Sequence, residues 1–166
     1  MTGQATTDNL WAWIDEESDS EPFETIDPRM VAAVMVVHNA GEWLPRQLRA
    51  LSALNPRPGI LIAVDNGSTD ESGRLLEQAR AAGVISSVIR GNPDFGFGAA
   101  VAAALPPHAP WIWLLHDDSA PHPDALGQLL RGASSTGATV IFPKLLQPRR
   151  RNYPETLAEV GQSITP

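Results

Sequence analysis

The chain has 166 residues, of which 12 are Lys or Arg and 19 are Asp or Glu, and it contains no Cys. This length suits one modest domain, and the lack of Cys excludes disulfide scaffolds and Cys-based zinc sites. The formal charge of −7 argues against a nucleic-acid partner, because neutralising phosphates needs a basic surface.

The negative charge is concentrated at the start of the chain. Residues 1–27 hold eight acids and neither Lys nor Arg, so the other 139 residues carry 12 basic and 11 acidic groups, or +1. We therefore expect an acidic, disordered or loosely docked tail over residues 1–28. Its apolar island around Trp11 and Trp13 either binds a partner or packs on its own domain. Neither a signal peptide nor a stretch of about 18 apolar residues is present, so we expect no transmembrane segment and a cytoplasmic location.

From Met30 onward, short apolar runs alternate with helical patterns, which is typical of βαβ units around a parallel sheet. Val31 to Val37 is an uninterrupted apolar run, as expected for a strand that is covered on both faces. The pattern predicts a three-layer α/β domain over residues 29–146. Its further strands are predicted at 60–64, 84–89, 111–115 and 138–142, and its helices over about 44–54, up to 82, over 97–105 and after Pro123.

Polar segments follow three of these strands, at residues 38–41, 65–70 and 116–119. Because ligands of open α/β sheets bind outside the carboxyl ends of the strands, we expect these segments to converge on one site. Asp65 is suited to accept hydrogen bonds from a base or from ribose hydroxyls, and Gly67 lets the backbone turn beside a ligand.

The residues after Gly67 also have a structural interpretation. Ser68 to Glu71 fits the capping box S-x-x-E, so we expect Ser68 and Glu71 to cap the next helix while Asp70 complements its dipole. Asp65 has no comparable structural role in the sequence, which favours ligand binding for this residue.

His116, Asp117 and Asp118 follow an apolar strand. Like charges crowded at the rim of a sheet are costly unless a cation balances them, and Mg²⁺ or Mn²⁺ that carries a diphosphate would do so. The alternative is that one of these acids caps a helix or lies in a loop. Gly96 and Gly98 open a helix whose free N–H groups are suited to phosphate, although Gly-x-Gly alone is a weak signal.

These segments together resemble the family 2 glycosyltransferases of the GT-A fold. The order and spacing of the motifs match from about residue 31 to 130, and the D-N-G-S-T-D sequence at 65–70 is the most specific element. Within the family, the acidic triplet is similar to those of bacterial rhamnosyl- and galactofuranosyl-transferases.

The resemblance implies metal-assisted transfer of a sugar from a UDP- or dTDP-linked donor to a glycan or lipid-linked acceptor. It implies a role in cell-wall or surface polysaccharide synthesis, at the inner face of the membrane in a longer protein. Asp65 would contact the base or ribose, and residues 116–118 would correspond to the DxD motif, with His116 and Asp118 as metal ligands. The other residues assigned to the nucleotide sugar are His38, Asn39, Asn66, Gly67, Gly96, Gly98 and Asp117.

The sequence departs from the family pattern in ways that affect catalysis. His116 stands where an acid is usual, and neutral imidazole binds Mn²⁺ more readily than Mg²⁺. The family's catalytic base lies in the second half of its domain, whereas the last part of this chain offers only Glu155 and Glu159. We therefore expect the N-terminal, donor-binding part of a larger enzyme, with residues 147–166 starting the acceptor side and the base unassigned.

Two other functions are compatible with parts of the pattern. A non-catalytic domain that binds sugar nucleotides or a partner would keep the donor site without transfer. A sugar nucleotidyltransferase has a similar sheet, but it needs a Gly-rich loop with Arg and Lys after the first strand, which residues 40–43 do not supply.

Overall fold

A computed structural model describes residues 25–146. Residues 1–24 of the predicted tail (1–28), which include its Trp island, and the segment after residue 146 lie outside the described residues. The longest described helix has 12 residues, and within 25–146 none is long and apolar enough to cross a bilayer. A short 3-10 helix, Pro28–Met30, precedes the sheet. In chain order the strands and α-helices are β1 Val31–Val37, α1 Leu44–Ser52, β2 Ile60–Asp65, α2 Ser72–Ala81, β3 Ser87–Arg90, α3 Phe97–Ala104, β4 Trp111–His116 and α4 Ala125–Thr136.

The four strands form one parallel sheet in the order β3-β2-β1-β4. All seven residues of β1 are buried, because this strand has a neighbour on each edge and helices on both faces. The register pairs Val37 with Asp65 and Val36 with His116, so the ends of β1, β2 and β4 lie side by side. The predicted α/β architecture with a mostly parallel sheet is confirmed.

The two faces of the sheet are covered unequally. On the first face, α1, α2 and α4 pack large side chains such as Leu44, Leu76 and Leu126 against the strands. On the second face, α3 packs small residues against β1 and β2. Within residues 25–146 no helix covers Ile112 and Leu114 of β4 on this second face, and these side chains are 46% and 52% exposed.

Two predicted strands differ from the structure. The third begins at Ser87 rather than residue 84, because the backbone N–H groups of Val84 and Ile85 bond back to the carbonyl of Ala79 at the end of α2. The fifth, predicted over residues 138–142, is absent from the described residues. An apolar run forms a strand only where a neighbouring strand pairs with it, and here Phe142 is 73% exposed.

Candidate functional site

The loops that follow β1, β2 and β4 converge at one edge of the sheet, as the sequence predicts. A cleft of about 370 Å³ opens at this edge. It is bounded by the ends of β1, β2 and β4 and by the loop that precedes α3. The lining residues are Val36, His38, Asn66, Pro93, Phe95, Phe97, His116 and Asp117.

One wall of the cleft is a tight turn that we call the acidic turn, residues 116–119. β4 ends at His116, whose carbonyl oxygen accepts bonds from the backbone N–H of Ser119 at 3.3 Å and from its hydroxyl at 2.8 Å. Asp117 and Asp118 therefore occupy the two central positions of the turn. His116, at the start of the turn, is paired in the sheet. The carboxylates of Asp117 and Asp118 project beyond the end of β4.

The side chains of the acidic turn form a compact group of potential metal ligands. Nδ1 of His116 lies 2.7 Å from Oδ1 of Asp118 and 3.2 Å from Oδ1 of Asp117, and ligand atoms of all three residues lie within 4.8 Å of one another. His116 and Asp118 are mostly exposed, whereas Asp117 is 13% exposed and accepts the backbone N–H of His38. Two carboxylates and an imidazole fit a small divalent cation, with the nitrogen ligand favouring Mn²⁺ over Mg²⁺.

Aromatic side chains face the acidic turn across the cleft. The ring of Phe97, the first residue of α3, stacks on the ring of His116 with centroids 6.0 Å apart and planes 21° apart. Gly96 precedes α3 in an ordinary extended conformation, and a Cβ added at Gly96 or Gly98 would meet no atom of another part of the chain within 4 Å. Gly96 and Gly98 flank Phe97, which lines the cleft, but they do not line it themselves. Their role in phosphate binding stays a prediction.

The side chain of Asp65 has both a structural bond and a free oxygen. Its Oδ1 accepts the backbone N–H of Ser68 at 2.9 Å, so the expectation that Asp65 has no structural role is wrong. Within residues 25–146 its Oδ2 has no hydrogen-bond partner. Gly67 has a φ of +79° and its Cα lies close to Pro93, which explains the requirement for glycine here. Neither Asp65 nor Gly67 lines the cleft.

The start of α2 is capped differently from the prediction. Asp70 accepts the backbone N–H of Ser72 on Oδ1 and that of Gly41 on Oδ2. Hydrogen bonding with the Ser72 side chain, and then with these backbone groups, lowers the pKa of Asp70. Glu71 makes no capping bond, and the hydroxyl of Ser68 accepts a bond from the neighbouring loop instead. The capping box fails because α2 begins only at Ser72, beyond the reach of Ser68.

The side chains of His38 and Asn39 form hydrogen bonds with other residues of the chain. His38 Nδ1 lies 2.9 Å from the carbonyl of Asn66, and its Nε2 lies 3.2 Å from the Asn39 amide nitrogen. In the neutral ring, the proton is therefore on Nδ1 and Nε2 accepts. Asn39 has a φ of +52°, and its Oδ1 accepts the backbone N–H of Thr69 at 2.8 Å. Asn39 thus positions His38, which lines the cleft.

Asn66 connects the end of β2 to the loop that precedes α3. It is 7% exposed, and its Nδ2 donates to the carbonyl of Phe95 at 2.8 Å. Within residues 25–146 its Oδ1 has no partner. Asn66 therefore fixes the position of Phe95 and of the cleft wall around it.

Some residues of the site escape sequence reasoning. Phe95 and Phe97 flank a glycine and are about 40% exposed, a signal that was available in the sequence as two aromatic residues in a polar loop. Gln47 on α1 donates to the carbonyl of His116, and its only signal is a polar residue inside an apolar helix face.

Comparison with known proteins gives concordant results. The sequence model described as Glycosyl transferase family 2 matches residues 32–162. Galactofuranosyltransferase GlfT1 of Mycolicibacterium smegmatis is 30% identical over 144 residues, which cover 82% of this chain and 47% of the relative. The chain thus spans about half the length of this curated relative.

The chain was also compared with solved structures. Mannosyltransferase PcManGT from Pyrobaculum calidifontis, in complex with GDP-Man and Mn²⁺, matches with a TM-score of 0.57 at 18% identity and covers 76% of this chain and 40% of that one. S. aureus TarS 1-349 matches with a TM-score of 0.48 at 16% identity, over 59% of this chain and 30% of that one. The PcManGT match confirms the predicted GT-A fold, and the family model spans most of the sequence. The chain belongs to glycosyl transferase family 2.

Proposed function

We propose that the described residues form the sugar-donor site of a glycosyltransferase, which binds a nucleotide-diphosphate sugar and passes the sugar to an acceptor hydroxyl. The observation that carries the proposal is the acidic turn at the rim of an aromatic-lined cleft, at the carboxyl ends of a parallel sheet. Open α/β sheets bind nucleotides at this place.

The acidic turn and a diphosphate are both negative, so they need a cation between them. We assign His116 and Asp118 as its ligands, with Asp117 beside them. When bound, Mn²⁺ or Mg²⁺ would neutralise charge on the diphosphate leaving group. Asp117, which is mostly buried and bonded to the backbone of His38, keeps the turn joined to the end of β1.

The nucleoside is assigned to the remaining walls of the cleft. Phe95 and Phe97 present apolar rings suited to a base or a ribose face. Asp65 retains an unbonded Oδ2 that is suited to accept a hydrogen bond from a base N–H or a ribose hydroxyl, and contact with it would place the nucleoside toward the end of β2. The main-chain amides at the start of α3 near Gly96 and Gly98 remain candidates for the phosphates.

In the transfer step, the acceptor oxygen bonds to the anomeric carbon while the bond from that carbon to the diphosphate oxygen breaks. The bonding electrons leave with the nucleoside diphosphate, and the acceptor proton passes to a base. In the described part of the chain, the only carboxylate that lines the cleft is Asp117, which belongs to the acidic turn. We therefore place the base outside the described residues.

The sugar we favour is galactofuranose. The relative at 30% identity is a galactofuranosyltransferase, which supports galactofuranose over rhamnose, and the nucleotide of the proposed donor is UDP or dTDP. A glycan or lipid-linked acceptor, a role in bacterial cell-wall polysaccharide synthesis and a cytoplasmic site at the inner membrane face are the accompanying proposals.

Calorimetric titration of the 166-residue chain with UDP and with dTDP, each with and without Mn²⁺, tests the donor site. We expect Mn²⁺-dependent binding of at least one of the two nucleotides. The nucleotide that binds more tightly is assigned to the donor. Failure of both nucleotides to bind in the presence of Mn²⁺ would refute the donor-site proposal.

A second candidate function is binding without transfer by this part of the protein. The observation in its favour is the lack of a further carboxylate in the cleft wall within residues 25–146. Release of UDP from a UDP-sugar in the presence of a hydroxyl acceptor distinguishes the two functions. Binding without release by this chain would support the second.

A further inference from the structure

Gln47 is a polar residue in the apolar interface between α1 and the sheet. It lies on the same helix face as Leu44 and Leu51, and all three side chains are 0% exposed. A helix face that packs on a sheet is normally apolar, and burial of an amide is costly unless it is hydrogen-bonded. The buried position of Gln47 therefore depends on the hydrogen bonds that its side chain makes.

The partner of Gln47 is the acidic turn. Its Nε2 donates to the carbonyl of His116 at 3.0 Å and to the hydroxyl oxygen of Ser119 at 3.3 Å. The same carbonyl accepts the backbone N–H and the hydroxyl of Ser119. Donors from α1 and from the turn itself thus meet at one carbonyl oxygen, where β4 leaves the sheet.

The hydrogen-bond pattern also defines the orientation of the amide. The Ser119 hydroxyl gives its proton to the carbonyl of His116, so its oxygen accepts from Gln47. Both groups beside the amide are acceptors, and only the NH₂ end is able to face them. Within residues 25–146, Oε1 of Gln47 has no partner. In this part of the chain, the hydrogen bonds of the side chain are therefore confined to the acidic turn.

We propose that Gln47 is a positioning residue for cation binding, which holds the acidic turn so that Asp117 and Asp118 present their carboxylates together. Both acids occupy central positions of the turn, so the directions of their side chains depend on the backbone angles that the bond to His116 stabilises. The inference rests on the proposed function, because it assumes that the turn binds a divalent cation. Groups that orient metal ligands typically change metal affinity by about 10- to 100-fold.

The test compares Gln47→Met with Leu51→Met in the 166-residue chain. Methionine has nearly the length of glutamine but donates no hydrogen bond, and Leu51→Met changes the same buried helix face without touching the turn. Mn²⁺ affinity is measured from the electron paramagnetic resonance signal of the free ion. Hydrogen exchange of the Ser119 amide and thermal unfolding are measured on the same samples.

We expect Gln47→Met to weaken Mn²⁺ binding by about tenfold or more and to speed exchange of the Ser119 amide, at temperatures where the variant is folded. Leu51→Met should keep the Mn²⁺ affinity of the original chain within about twofold. A folded Gln47→Met variant with unchanged Mn²⁺ affinity would overturn the positioning role and leave the proposed function intact. An original chain that binds no Mn²⁺ would overturn both, and that result is recognised before any variant is made.

Discussion

Two loops at the same edge of the sheet both carry acids, yet they use them differently. In the loop after β2, Asp65 and Asp70 accept backbone N–H groups of their own protein. In the acidic turn after β4, Asp118 bonds only to the exposed imidazole of His116 within residues 25–146. The carboxylates of the loop after β2 therefore mainly stabilise the fold, whereas the Asp118 carboxylate of the acidic turn accepts no backbone N–H within residues 25–146.

This difference separates structural acids from candidate ligand residues in a way that proximity to a strand end does not. A carboxylate whose oxygens are satisfied by backbone N–H groups has little capacity for a ligand. Asp65 is intermediate, because one of its oxygens is bonded to Ser68 and the other has no partner in the described part of the chain. Asp117 is intermediate as well, since it accepts the backbone N–H of His38.

The largest expected effect is on the acidic turn. Asp118→Ala removes an exposed carboxylate, so we expect Mn²⁺ affinity to fall by about tenfold or more with little change in melting temperature. Mn²⁺ titration and thermal unfolding measure the two quantities. Asp94→Ala removes an exposed acid of the loop that precedes α3 and serves as the control for charge alone. Equal losses of affinity in both variants would show that Mn²⁺ responds to negative charge in general and is not bound by the acidic turn.

The next effect is on the stability of the loop after β2. Gly67 has a φ of +79°, and a Cβ there would lie 2.6 Å from Cβ of Pro93, so we expect Gly67→Ala to lower the free energy of unfolding by about 1–3 kcal/mol. Gly98→Ala, in a helix with open space around it, should be neutral or stabilising by up to about 1 kcal/mol. Urea unfolding of both variants checks the contrast, and similar destabilisation by the two substitutions would contradict it.

The smallest effect concerns the pH dependence of stability. Bonds from Ser72, and then from Gly41, lower the pKa of Asp70 below its ordinary value of 3.8. Its contribution to stability is therefore present above about pH 3.8 and is lost as the pH falls through the lowered pKa. We expect Asp70→Asn to lower the melting temperature by a few degrees at pH 7 and by less near pH 3. A difference in melting temperature that is larger near pH 3 than at pH 7 would refute the expected direction of the effect. Asp94→Asn is the matched control.

Much of the fold follows from the sequence because its signals are local and repetitive. The apolar run of β1 coincides with the strand in the structure, and the order of strands and helices up to α4 is as predicted. The run at 138–142 fails because pairing of a strand depends on a partner that periodicity does not reveal. The capping box fails for a similar reason, since the start of α2 is decided by bonds from Asp70 rather than by Ser68.

The candidate site also has a part that the sequence predicts and a part that it does not. Convergence of the three loops was predictable, because parallel strands end at one edge. The contribution of Gln47 was not, because its partner lies 69 residues away in the chain. The distinct environments of Asp65 and Asp118 depend on how the backbone of each loop folds, because the residue types are identical and both bonds are local.

The half-covered strand β4 has a consequence for handling the protein. It is an edge strand of the described sheet, and its alternate side chains Ile112 and Leu114 are exposed on one face. An edge with free backbone groups and apolar side chains tends to pair with another chain. If nothing covers this edge, we expect the protein to self-associate at high concentration. This association should limit its solubility at temperatures below those at which the core unfolds.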